Sequence, residues 1–118
     1  MNSSQSALLN ELFFINPDIL AASLVKTDGT VLSHRGQEDA GLAALGSMLA
    51  VVAGRAVTEL GRGMLTSVVV EGDEGFVVVE PVNDDSVVAV VAHRGAAPGL
   101  VISDVRASIK AHNASVRS

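Results

Sequence analysis

At 118 residues with a formal net charge of −5, the chain is the size of one domain and is repelled by a phosphate backbone, so nucleic acid is not an expected partner. Nearly half of it is apolar (48%), yet it has three Phe and no Trp or Tyr, which points to an aliphatic core and away from stacking platforms for bases or sugars. Having no Cys, it can build no disulfide, zinc–thiolate site or thiol nucleophile, which suits a cytoplasmic protein.

Met1 to Gln5 carry no Lys or Arg, and the apolar run behind them is broken by Asn10 and Glu11, so no secretory signal is expected. Asn2 excludes myristoylation, which needs glycine there. Ser3 or Ser4 can cap a first helix that runs to about Phe14, with Leu8, Leu12 and Ile15 on one face and Leu9 and Phe13 beside it. Asn16-Pro17-Asp18 ends it, because a residue before proline is pushed out of the helical region. Leu20 to Thr27 and Thr30 to His34 read as two strands joined at Asp28-Gly29, a strong hairpin signal.

Glu38 to Arg62 is the longest helical stretch, and from Gly41 to Gly54 it contains no charge. That uncharged part spans about 14 residues against the roughly 20 needed to cross a bilayer, so no membrane insertion is expected. Leu42, Leu45, Leu49, Val52, Ala56 and Leu60 form a stripe of large residues, flanked by Met48. Ala43, Ser47, Ala50 and Gly54 form a second line of small ones. The small line has two readings, close approach to the helix's own sheet or close approach to a second helix. With the large stripe assigned to the core, the small line is expected to meet a second copy of the chain. Glu38 and Asp39 suit the positive end of the helix dipole, and Gly61-Arg62-Gly63 should terminate it.

Met64 to Glu71, Phe76 to Glu80 and Ser86 to Ala92 read as three strands, with Pro81 closing the middle one. Their separators, Gly72-Asp73-Glu74-Gly75 and Asn83-Asp84-Asp85, are too short for crossovers, so the strands form an antiparallel meander. Pro98 opens a last helix with Val101, Ile102, Val105 and Ile109 facing the sheet, and His112 to Ser118 is expected to fray. The sum is a single domain over residues 3–116 of α+β class, a five-stranded antiparallel sheet with helices packed on it.

Chemistry-bearing motifs are scarce. The sequence has no P-loop, and no Gly-x-Ser-x-Gly elbow. The pairs Asp73/Glu74 and Asp84/Asp85 fall in turns. No catalytic residue, cofactor or metal is therefore expected. One echo stands out: His34-Arg35-Gly36 and His93-Arg94-Gly95 each end a strand before a helix. If both reach the same sheet edge, two Arg and two His could meet an anion there; ordinary strand-end turns are the reading preferred here.

The stretch Ser23 to Leu32, the helix from Leu42 through Ala56, Thr58 to Gly63, and the strands at Val68 to Glu71 and Val87 to Val91 together resemble the roadblock domain family, named for a dynein light chain. The resemblance is closest to free-standing bacterial members that regulate small GTPases. It implies a profilin- or longin-like fold with sheet order 2-1-5-4-3, the long helix on one face and the terminal helices on the other. It also implies a dimer built by the long helix and third strand, which adds Val51, Val68 and Val70 to Ala43, Ser47, Ala50 and Gly54. By the same resemblance Arg55, Thr58, Glu59 and Arg62 are candidates for contact with a small Ras-like GTPase. The implied activity is non-enzymatic regulation of that GTPase in signalling or polarity, the alternative being a structural scaffold subunit without effect on GTP turnover. A small-ligand sensor is the third reading.

Overall fold

Glycine- and aspartate-rich turns reverse the chain at 28–29, 72–75 and 83–85, and in the computed structural model these reversals build one five-stranded antiparallel sheet. The structure describes residues 3–36 and 41–117, without the side chains of Ser3, Ser4 and Arg117. The elements are α1 (Ser3–Ile15), β1 (Ile19–Lys26), β2 (Val31–Gly36), α2 (Gly41–Glu59), β3 (Val68–Gly72), β4 (Gly75–Pro81), β5 (Ser86–His93) and α3 (Pro98–Arg117). The sheet order is β2-β1-β5-β4-β3, and every neighbouring pair is antiparallel. The expected α+β class and strand order both hold.

The valine-rich runs of β4 and β5 are explained by cover on both faces. Leu24, Val78, Val88 and Val90 point into a core closed by Leu8, Leu9 and Leu12 of α1 and Val101, Val105 and Ile109 of α3. Ala21, Val25, Val79, Val87 and Ala89 point to the other face, where α2 lies. β5 sits between β1 and β4, so its ladder bonds tie the first hairpin to the meander across a long stretch of chain.

Polar side chains fix the corners. Asn16 is buried; its Nδ2 donates to Asp104 on α3 at 2.9 Å and its Oδ1 accepts from the Asp18 N–H at 3.0 Å. The His93 ring meets Asp18 Oδ1 through Nε2 at 2.8 Å, while its Nδ1 accepts from the Gly95 N–H at 2.9 Å. These bonds join the α1–β1 corner to the β5–α3 corner. α2 ends in paired backbone bonds, Gly61 N–H to Thr58 O and Arg62 N–H to Val57 O, with Gly61 at φ +67°. That is the six-to-one and five-to-two pattern of a glycine C-cap.

Some expectations need correction. Residues 64–67 are not a strand; β3 starts only at Val68. Ile15 is exposed instead of buried, because α1 stops there and the chain turns away at Asn16. The stretch expected to fray after His112 stays helical to Arg117, helped by the bond from Asn113 Nδ2 to Val82 O at 3.0 Å. The dipole role of Glu38 and Asp39 and the capping side chains of Ser3 and Ser4 lie outside the described residues.

In the first hairpin only Gly29 has positive φ (+96°). The Gly29 N–H donates to Lys26 O at 2.9 Å, and the Thr30 N–H donates to Asp28 Oδ1 at 2.9 Å. The bond from Thr30 holds the Asp28 carboxyl below its ordinary value of 3.8. A depressed folded pKa stabilises above the unfolded value and is lost as pH falls through the folded one. Wild type should therefore lose its stability advantage over Asp28→Asn as pH drops below 3.8. Parallel acid-unfolding curves followed by circular dichroism check this; an advantage unchanged by acid would refute it.

Candidate partner interface

The buried residues of α2 are Leu42, Ala43, Gly46, Ser47 and Ala50. Three of the four small residues expected at a partner helix thus lie against the chain's own sheet. Leu45, Met48, Val51 and Val52 face outward instead, and only Leu42 and Leu49 of the large stripe pack inward. The assignment of large residues to the sheet and small ones to a partner holds for Leu42, Leu49 and Gly54 but fails for Leu45, Val52, Ala43, Ser47 and Ala50. The reason is distance. A Cβ on Gly46, which shares this face, would stand 2.7 Å from the Cβ of Ala89, so at that point the helix lies too close for any side chain. Ser47 can be buried there because its hydroxyl donates to the Ala44 carbonyl at 3.0 Å.

The remaining expected interface residues divide by position. Gly54 is half-buried, but an added Cβ would meet nothing within 4 Å. Val68 packs against the α2-side core, while Val51 and Val70 are each about half exposed. β3 bonds only to β4, so among the described residues its outer edge is unpaired. The exposed face of α2 and this edge leave Leu45, Met48, Val51, Val52, Val69 and Val70 to solvent in the single chain. The free edge of an apolar strand is a template for pairing.

The polar strip is not a separate face. At about 100° per residue, Arg55 and Glu59 fall on the same side of α2 as Met48 and Val52, at its C-terminal end. Arg55 Nη2 bonds Glu59 Oε1 at 3.0 Å, one turn apart. Thr58, Leu60, Arg62 and Met64 are exposed as well. The apolar side of α2 at Leu45, Met48 and Val52 thus gives way to charge at Arg55 and Glu59. By length and composition α2 could cross a membrane, but its small-residue side is already occupied by the sheet.

The His-Arg-Gly echo does not form a joint anion site. Arg35 donates to Asn10 Oδ1 at 2.6 Å and lies 4.7 Å from the Phe13 ring centre, whereas Arg94 turns to Glu74 at 3.9 Å. Each glycine has a local reason: a Cβ on Gly36 would strike the Leu20 carbonyl, and one on Gly95 the His93 ring. Ser23 and His34 meet across the β1–β2 ladder at 2.5 Å, but Ser23 is fully buried and out of reach of any substrate. The described residues contain no cluster of three or more His, Asp or Glu placed to hold a metal. The acidic pairs lie in exposed turns, with Asp85 near Lys26 at 3.8 Å.

A family model described as Roadblock/LC7 domain matches residues 6–92. Among solved structures, a Roadblock/LC7 domain from Streptomyces avermitilis superposes with a TM-score of 0.81 at 24% identity, over 100% of this chain and 98% of that one. Myxococcus xanthus MglB superposes with a TM-score of 0.81 at 19% identity, over 92% of this chain and 84% of that one. LokiProfilin2, solved with rabbit actin, gives 0.67 at 14% identity over 93% and 96%, a similarity of fold. The sequence comparison with curated proteins found no match.

The close seat of α2 predicts a distinctive mutational pattern. Gly46→Ala gains up to about 1 kcal/mol of helix propensity but should still destabilise, since overpacking costs roughly 1–3 kcal/mol. The penalty should shrink in an Ala89→Gly background. Ala50→Trp should cost about 3 kcal/mol, while Gly54→Leu leaves the fold intact. Urea denaturation at one fixed protein concentration measures all four; equal tolerance of Ala50→Trp and Gly54→Leu would refute the placement.

Proposed function

The chain belongs to the Roadblock/LC7 domain family, and on that premise we propose that it is a homodimeric cytoplasmic adaptor that binds a small Ras-like GTPase and modulates its nucleotide cycle without a catalytic site of its own. The observation that carries this reading is the uncovered apolar seam of α2 beside the unpaired edge of β3. A two-fold axis lets the same helix face and the same strand edge meet their own copies, so one surface serves both partners.

Magnitudes favour using both parts. Leu45, Met48, Val51 and Val52 are each roughly half exposed in the single chain. Completing their burial at about 1 kcal/mol each gives roughly 8 kcal/mol over two copies. Association costs on the order of 4–15 kcal/mol. The helix seam alone is near break-even. Pairing β3 with its copy adds backbone hydrogen bonds, each worth about 0.5–1.5 kcal/mol net.

In such a dimer the Arg55–Glu59 pair and Arg62 appear twice, and they form the surface assigned to the GTPase. The sequence offers no nucleotide site within this chain, so any effect on hydrolysis is exerted at the partner's site.

Light scattering at micromolar concentration should give the mass of a dimer. Met48→Lys with Val52→Glu should give a monomer whose circular dichroism is unchanged. A cognate small Ras-like GTPase should show altered GTP turnover with wild type and a response weakened about tenfold or more by Arg55→Ala with Arg62→Ala. A monomeric wild type would sink the dimer; a dimer that leaves turnover and binding untouched would sink the GTPase role alone.

A further inference from the structure

α2 covers one row of its own sheet and stops short of the next. Val68, Val79, Ala89 and Ser23 stand opposite one another across four strands, with Val79 and Ala89 fully buried. Two residues along, Val70, Val77, Val91 and Ala21 form the neighbouring row. A bulge in β1 leaves Leu20 without an opposite residue and turns it to the same face as Ala21. This row is open. It forms the floor of a cleft of about 440 Å³, where Leu20 and Val70 are each 46% exposed and Val77 and Val91 half-buried. Glu71 and Glu74, both exposed, line its outer part, and among the described residues no Lys or Arg lines it.

The stretch between α2 and β3 carries the opposite feature, large apolar side chains with nothing to cover them. Leu60 is 73% and Met64 84% exposed, and neither lines the cleft of its own chain. Leu65 and Val68, which follow, pack into the α2-side core, so the stretch lies on the same side of the sheet as the cleft. Arg62 falls between Leu60 and Met64, so the stretch carries positive charge and the cleft negative.

The two-fold geometry brings these features together. For the α2 face and the β3 edge both to meet their copies, the axis stands perpendicular to one continuous sheet. The two β3 strands then run antiparallel, and the start of one lies beside the end of the other. In a pairing centred on Val70, Val68 of one copy comes level with Gly72 of the other. The chain leading into each β3 thus enters over the partner's open row. Met64 stands four residues ahead of Val68, a reach of about 13 Å when extended. From β3 to β5 is two strand spacings, roughly 10 Å.

We propose, resting on the dimer inferred above, that this cleft receives Leu60 and Met64 of the second copy. Each copy then fills the other's open row, and the dimer gains two equivalent apolar locks beside its helix and strand contacts. The α2 seam alone is near break-even for association. Two more large side chains per copy, buried on a floor that is already apolar, move the balance toward the dimer. The flexible thioether of Met64 suits a shallow cleft with uneven walls.

The test is the dimer dissociation constant, measured by sedimentation of the full chain over a concentration series. Met64→Ala and Leu20→Ala should each weaken the dimer about tenfold or more. The double variant should lose little beyond either alone, because each side chain buries the other. Both positions are exposed in the single chain, so circular dichroism should stay unchanged. The chain has no Cys, so an equal mixture of Leu20→Cys and Met64→Cys reads the contact directly. A short bismaleimide should link position 20 of one copy to position 64 of the other. The link should vanish when both chains also carry Met48→Lys and Val52→Glu. A monomeric wild type overturns the dimer and the lock with it. A wild-type dimer indifferent to Met64→Ala, additive losses from the two alanine variants, or no link between positions 20 and 64 overturns the lock and leaves the dimer standing.

Discussion

A Cβ placed on Gly46 would stand 2.7 Å from the Cβ of Ala89, so α2 lies on its sheet at a separation only glycine permits. Once that seat is taken, the orientation of the whole helix follows. Ala43, Ser47 and Ala50 share its face and are buried with it. The 3.6-residue repeat then carries Leu45, Met48 and Val52 to the opposite side, where the chain has nothing to cover them. The close contact gains dispersion over a broad, flat area. It also leaves large apolar side chains in water, the surface on which the proposed dimer rests.

The two faces of the sheet solve the same problem by different means. Under α1 and α3 the core is built from large aliphatic residues, Leu8, Leu12, Val78, Val90 and Val105 among them, and the helices are tied down by Asn16 to Asp104 and Arg106 to Glu80. Under α2 the sheet sets Ala21, Ala89 and Ser23 among Val25, Val79 and Val87, and the small residues let the helix approach closely. One face is closed within the chain. The other closes only partly, and its unfinished half runs into the free edge of β3. The domain is therefore asymmetric in a way that favours assembly along one side.

The polar residues at the end of α2 acquire meaning from this geometry. Taken alone, Arg55 and Glu59 are a solvated pair one helical turn apart, worth a few tenths of a kcal/mol. In the proposed dimer their position at the end of an apolar surface puts them at its rim, where charge sets partner choice and encounter more than it adds affinity. The Roadblock/LC7 family match supplies the context in which such an adaptor works.

Much of the fold was legible in the chain itself. Asp28-Gly29, Pro17, Pro81 and Gly61 mark reversals and ends through local backbone chemistry, which needs no tertiary information. Near-continuous valine runs joined by short turns dictate an antiparallel meander for the same reason. The orientation of α2 was not legible. Its residues are apolar on nearly every side from Gly41 to Gly54, so hydropathy ranks leucine above alanine and picks the wrong face. Which face goes inward is a matter of shape, decided by Ala89 and Ala21 of strands distant in sequence. The open row at Leu20, Val77 and Val91 was equally invisible, because the bulge that turns Leu20 to that face arises only when β1 pairs with β5. Local propensity determined the elements; the space between them, set only when they packed, decided which surfaces remain to bind something else.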